Sequence, residues 1–238
     1  MAQIYNPRVA TSGLIMYLDA GNTDSYPGSG ATWRDLSGNG INGTLQGSPT
    51  FSQEGNGCFN MNGSTQYITT NHATNYPTAF TFGSWVYINP SQVQAYPKIV
   101  SKNSDFAISQ SDFPFAVAVN SSVISVNCST GADFTGQSIL NKSHNSSNKW
   151  AYVAVTLSQT ALNLYVNGAV IGTTTYATTT FSNSSYNWTF CRAALEYAGG
   201  VGASAFTGKI SNIQMYNRTL SAAEISSNFS ALRGRYGV

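Results

Sequence analysis

The acid–base and thiol chemistry open to this 238-residue chain rests on nine carboxylates, two imidazoles and three thiols. The acids are Asp19, Asp24, Asp35, Glu54, Asp105, Asp112, Asp133, Glu196 and Glu224. Glycosidic hydrolysis needs two carboxyl groups roughly 5 to 9.5 Å apart, one as acid and one as nucleophile or base. A strand would supply them at i, i+2 or i, i+4 on one face, and no two of these acids are so spaced. His72 and His144 lie far apart in polar surroundings and read as solvated loop histidines. No Gly-x-Ser-x-Gly elbow offers either of them a nucleophile to activate. Gly199-Gly200-Val201-Gly202 lacks the strand, helix and lysine that make a glycine run a phosphate loop. Cys58, Cys128 and Cys191 are widely spaced, without a Cys-x-x-Cys pair, and read as buried free thiols of a protein assembled in a reducing compartment. No catalytic constellation emerges, so the expectation is a protein that binds rather than one that turns over. Aromatic faces can stack on the C–H faces of sugars, and Tyr186 and Tyr197, set among small polar residues, are the candidate glycan-binding side chains.

The elements that must position such groups follow from composition. Charged residues are 8 % of the chain, against about 25 % in an average domain, while hydrophobic residues reach 42 % and aromatic residues 13 %. There is ample material for a core, and the exterior must be polar but uncharged. The 22 glycines, seven prolines and Ser/Thr/Asn-rich stretches such as Asn141 to Asn148 and Thr173 to Thr180 disfavour long helices and read as surface. The formal charge of +2 is spread over scattered Lys and Arg, with no stripe to track a phosphate backbone, so nucleic acid is not an expected partner. Leu14 to Leu18, the longest apolar run near the start, is too short for a membrane span of ~18 residues or a secretion-signal core. Assembly inside the cytoplasm without a membrane span is the expectation.

Along the chain, Met1 to Ser12 reads as an arm ahead of one all-β domain over residues 13–238. Short apolar runs between turn-rich segments predict strands at Leu14 to Asp19, Cys58 to Asn62, Tyr67 to Thr70, Phe80 to Ile88, Lys98 to Lys102, Phe106 to Ser109 and Phe115 to Asn120. Further strands are predicted at Val123 to Asn127, Trp150 to Leu157, Ala161 to Asn167, Ala169 to Thr174, Asn187 to Arg192 and Thr207 to Tyr216. Alternation puts Phe80, Phe82, Val86 and Ile88 on one face, and Leu162, Leu164 and Val166 on another, so each strand is expected to bury one side. Asn167-Gly168 is the signature of a two-residue hairpin turn. One helix is predicted near the C-terminus, with Ser221 and Glu224 as a capping box and Leu220 stapling onto Ile225. It would bury Ala222, Ile225, Phe229 and Leu232 and end at Gly234.

Several segments, in order, resemble the laminin-G-like jelly rolls of the concanavalin A-like lectin and glucanase superfamily. They are Leu18-Asp19-Ala20-Gly21-Asn22, Trp33-Arg34-Asp35-Leu36-Ser37-Gly38-Asn39-Gly40, Asn42-Gly43-Thr44-Leu45, Phe59-Asn60-Met61-Asn62-Gly63-Ser64 and Phe80-Thr81-Phe82-Gly83-Ser84-Trp85-Val86. Trp150-Ala151-Tyr152-Val153-Ala154-Val155-Thr156, Leu164-Tyr165-Val166-Asn167-Gly168, Phe206-Thr207-Gly208-Lys209-Ile210 and Tyr216-Asn217-Arg218-Thr219-Leu220-Ser221 continue the series. The resemblance implies a jelly-roll sandwich of two curved antiparallel sheets of six or seven strands, with the first and last strands adjacent. It also places Trp33, Trp85 and Trp150 in the core, leaving Trp188 open.

The glucanases of this superfamily carry Glu-x-Asp-x-x-Glu on a central strand, and no Glu here has that context. Many relatives hold a structural Ca²⁺, with Asp19 and Asp35 in the corresponding motifs, whereas Ser211 stands where relatives often have Asp. The alternative role for Asp35 is to cap backbone N–H groups of its own turn. Calcium therefore stays open and no metal ligand is assigned. The opening segment, the loop Ser25 to Thr32 and the end Arg233 to Gly237 resemble versions found in virion proteins of tailed bacteriophages. That resemblance implies a non-enzymatic virion structural protein, a capsid decoration protein on the particle surface whose partners are the major capsid protein, sister copies and surface polysaccharide. The alternative is a freestanding lectin-like module or a tail-fibre component.

Overall fold

The computed structural model describes residues 7–76, 78–92, 94, 96–102, 115–130, 136–175, 185–193 and 204–238. The strand expected at Phe106 to Ser109 lies outside them. The first eight strands are β1 (Leu14–Asp19), β2 (Thr32–Trp33), β3 (Gly43–Gln46), β4 (Thr50–Ser52), β5 (Cys58–Asn62), β6 (Tyr67–Thr70), β7 (Ala79–Ile88) and β8 (Lys98–Ser101). They are followed by β9 (Phe115–Val119), β10 (Val123–Thr130), β11 (Gly136–Ser143), β12 (Trp150–Ser158), β13 (Ala161–Val166), β14 (Ala169–Thr175), β15 (Thr189–Phe190) and β16 (Thr207–Tyr216). The chain then closes with helix α1 (Ala222–Leu232).

Two antiparallel sheets result, one ordered β14-β13-β12-β7-β16-β5-β4 with β1 also on β16, the other β11-β10-β9-β8-β15-β6-β3-β2. Each has eight strands, more than the six or seven expected. The strands not expected are β2, β3, β4 and β11, too short or too polar to show periodicity. The first and last strands are adjacent: Leu14 pairs with Tyr216 and Asp19 with Asn212.

Alternation along β7 sends Phe80, Phe82, Val86 and Ile88 into the core between the sheets, where Leu162 and Leu164 of β13 join them. The opposite faces of β7 and β12 are also buried. Trp85, Trp150, Tyr152 and Ala154 pack with Tyr216, Leu220, Ile225 and Tyr236 beneath α1. This second core corrects the expectation of one buried side per strand and explains the nearly unbroken apolar run of β12.

Asn167 and Gly168, at φ 51° and 80°, turn β13 into β14 with Val166 opposite Ala169. The capping box of α1 forms as expected, the Ser221 side chain accepting from the Glu224 N–H and the Glu224 carboxylate from that of Ser221. Ile225 is fully buried as expected and Phe229 and Leu232 are half-buried, whereas Ala222 is exposed and the other fully buried residue is Asn228. The helix gives way to a short turn over Arg233–Arg235 in right-handed conformation, so Gly234 is not its left-handed cap. Residues Arg8 to Ser12 lie along α1: Asn228 Oδ1 accepts from the Ala10 N–H at 2.8 Å and the Ala10 carbonyl accepts from the Tyr216 hydroxyl at 3.0 Å. The three cysteines are buried and unbridged.

Candidate functional site

Of the two expected glycan-binding tyrosines, Tyr186 is half-buried beside β15 and Tyr197 lies outside the described residues. The Tyr186 carbonyl accepts from Lys102 Nζ at 2.6 Å, and the same ammonium donates to the Ala73 carbonyl at 2.7 Å and lies 5.7 Å from the Trp188 ring centre. Lys102 is 1 % exposed, and burial pulls its pKa down to about 8. Trp188, the tryptophan left open, is buried: its indole N–H donates to the Thr74 carbonyl at 3.1 Å and its ring stacks on Phe80 at 4.9 Å. It cannot serve as an exposed platform, and Trp33, Trp85 and Trp150 are buried as expected.

The accessible groups beside Tyr186 are instead His72 and Tyr76, joined by a 2.7 Å hydrogen bond between Nε2 and the hydroxyl. Burial and the nearby Lys102 charge lower the His72 pKa, and burial raises that of Tyr76 to about 12. His72 is thus a neutral, bonded side chain and not a freely solvated one. His144 likewise bonds through both nitrogens, to the Asn120 carbonyl and the Ser146 N–H. The Tyr186 rim offers hydrogen bonds and aromatic edges over a buried cation. Sequence reading missed Lys102 because a lysine at a strand end ordinarily points to water.

Four of the five carboxylates among the described residues take other roles. Asp19 receives the Arg235 guanidinium on both oxygens, at 2.7 and 2.9 Å, with the Tyr17 hydroxyl at 3.1 Å and the Gly21 N–H at 2.9 Å. Ser211, in the position where relatives carry Asp, donates to the Gly57 carbonyl and accepts from the Tyr236 hydroxyl. Asp35 accepts from the N–H groups of Tyr17, Ser37 and Ile41 and from the Ser37 hydroxyl. Its turn-capping role therefore stands. Glu54 pairs with Lys209 and accepts from the Trp150 indole, and Glu224 pairs with Arg218.

These donors do not fit calcium. Both oxygens of Asp19 already face a cation, those of Asp35 face N–H and O–H groups, and a hard divalent ion needs six to eight free oxygens. Among the described residues no three His, Cys, Asp or Glu side chains converge on a common point.

Comparison with known families decides what this sandwich is. A family model described as the concanavalin A-like lectin/glucanases superfamily, of the laminin-G-like kind, matches residues 62–226. The chain belongs to this superfamily. Similar solved structures are binding domains of clostridial toxins. One is the binding domain of botulinum neurotoxin DC in complex with SialylT, at TM-score 0.69 and 16 % identity over 93 % of this chain and 52 % of that one. The binding domain of botulinum neurotoxin serotype G gives 0.68 and 18 % over 91 % and 50 %. That of Paraclostridial Mosquitocidal Protein 1 gives 0.66 and 15 % over 92 % and 52 %. The chain spans about half the length of these structures, and at such identity the likeness is one of fold. No curated protein sequence matches it.

Proposed function

We propose that this superfamily member is a non-enzymatic module displayed on the surface of a tailed-phage virion, as a capsid decoration protein, where it engages surface glycan. The observation that carries the non-enzymatic part is the use of four of the five acids among the described residues, Asp24 being the fifth. Asp19, Asp35, Glu54 and Glu224 each hold the fold through an ion pair or a set of backbone N–H groups, and a carboxylate so engaged is a poor proton donor or nucleophile. Two segments that resemble the phage versions support the virion part. Leu18 to Asn22 and Arg233 to Gly237 meet in the Asp19–Arg235 pair, so the matched pieces form one locked unit. A low-charge exterior also suits close packing of many copies, because repulsion between neighbours is small. Partners on this reading are the major capsid protein and sister copies.

Mass spectrometry of purified particles of a phage encoding the chain, with cryo-electron microscopy, is the test. The chain on the shell supports decoration, on the tail a fibre role, and its absence from particles rejects the virion reading. A freestanding lectin-like module is the second reading, favoured by a similar fold studied in complex with SialylT. Glycan-array binding by a chain absent from particles would establish it.

A further inference from the structure

The edge strands β11 and β14 belong to different sheets but close the same side of the sandwich, and where they end they leave an open groove of about 490 Å³. One wall is the segment Ser143 to Asn145, the other the β13–β14 hairpin through Asn167. Among the described residues no Lys, Arg, Asp or Glu lines it. Its floor is aliphatic, from Val166, Ala169 and Ile171, and beside it Val170 is one of few large apolar side chains left exposed, at 55 %.

Two polar side chains of the walls, His144 and Asn167, are held still. His144 donates from Nε2 to the Asn120 carbonyl and accepts the Ser146 N–H on Nδ1. The ring therefore turns a neutral, fixed face and edge to the groove. Asn167 accepts the Tyr152 N–H on its Oδ1 and gives its own N–H to the Tyr152 carbonyl, so the side-chain NH₂ is the group it has left to offer a ligand. The Asn145 amide and the Ser143 hydroxyl add a donor and acceptors from the opposite wall.

We infer that this groove binds one or two residues of an uncharged glycan, the aliphatic floor and the imidazole against the sugar's C–H face and the amides on its hydroxyls. An uncharged lining fits a neutral polyhydroxylated ligand: a charged one would be desolvated there without a counter-charge. The volume lies within the ~300 to 1,000 Å³ of small-ligand sites. This rests on the glycan-binding part of the function proposed above, and it places that binding away from Tyr186.

The test is calorimetric titration of the full chain with neutral hexasaccharides (malto-, cello-, laminari-, agaro- and N-acetylchito-hexaose) and with charged ones (hyaluronan, oligogalacturonate and chitosan hexamers). Three variants accompany it. Ala169→Trp fills the groove from an exposed position, Asn145→Ala removes an exposed amide, and Tyr186→Ala reports on the other rim. We expect a neutral hexamer to bind, at least tenfold weaker to Ala169→Trp and several-fold weaker to Asn145→Ala, with Tyr186→Ala unchanged and all thermal midpoints close to the parent. Binding that survives the two groove variants and is lost in Tyr186→Ala overturns the groove while leaving the module a glycan binder. Binding of charged hexamers alone overturns the ligand class. No binding to either set rejects the inference together with the glycan half of the proposed function. Self-association abolished by Ala169→Trp in sedimentation experiments would instead make the groove a contact between copies and overturn the assignment.

Discussion

At the scale of single residues, the chain uses an internal guanidinium where a divalent ion might have been expected. The side chains of Asp19 and Arg235 are 7 % and 15 % exposed, so removing one partner strands the other charge in low dielectric. Asp19→Asn should therefore cost roughly 3 to 5 kcal/mol, read as a urea midpoint or a fall in Tm of about 10 °C. EDTA should leave the parent's Tm within about a degree, since the Asp19 oxygens are taken by the Arg235 guanidinium and those of Asp35 by N–H and O–H groups; a larger shift would show that these oxygens do take an ion. The histidines make a pH prediction. His72 and His144 both titrate below 6.5 in the fold, chiefly through burial. The unfolded chain then binds protons the folded one refuses, so stability falls as pH drops below 6.5, until the folded-state values are passed. A His72→Gln, His144→Gln variant should show a flatter dependence between about pH 7 and 5. Asp35 was legible in the sequence because its N–H partners lie in its own turn or one strand away. The Asp19–Arg235 pair was not, because nothing local connects positions at opposite ends of the chain.

At the scale of elements, α1 is bound to its sheet by polar groups as well as apolar ones. Asn228 Nδ2 donates to Gln214 Oε1 and to the Tyr216 hydroxyl, while its Oδ1 takes the Ala10 N–H. Tyr152 donates its hydroxyl to the same Gln214 oxygen at 2.8 Å. Replacing Asn228 with Leu strands the Ala10 N–H, at about 1 to 3 kcal/mol, and takes one of two partners from both Gln214 Oε1, which keeps the Tyr152 hydroxyl, and the Tyr216 hydroxyl, which keeps the Ala10 carbonyl. A loss of at least 2 kcal/mol in urea unfolding is expected, with faster hydrogen exchange at the Ala10 amide; a neutral substitution would mean that the relay does not hold the strap. The helix was readable from its cap, yet Asn228 was not, since a polar residue on an amphipathic helix is assigned to water unless the partner surface is known to be polar. Strand β11 hid in the same way. Its Gln-Ser-Ile-Leu-Asn-Lys-Ser stretch carries little alternation, and the strand is recognised by its backbone pairing to β10, with Leu140 reaching the core.

At the scale of the whole molecule, the two cores make one sandwich whose outer sheet is sealed on both faces. Cys58 and Cys191 are fully buried, and burial raises both thiol pKa values, that of Cys58 to about 11. With Cys128 also 1 % exposed, reaction with a disulfide reagent at pH 8 should proceed at the rate of global unfolding, with all three thiols appearing together in denaturant. A thiol that reacts at once in the native protein would locate a local opening. The sandwich class, most strand positions and the hairpin turn were legible because period-2 alternation and Asn-Gly chemistry are local. The second core was not, since it exists only when α1 folds back across the sheet. The strap, the first strand and the tail also define a path for force. The chain enters β1 at Leu14, where Ala10 and Ser12 are tied to Asn228, Tyr216 and Arg218, and the tail is riveted at the far end of that strand through Arg235 and Asp19. A pull between the two flanks therefore runs lengthwise along β1 and loads its bonds to β16 together in shear. Under tension that geometry would make the β1–β16 pairing the clamp that bears the load and shields the rest of the sandwich until it gives way.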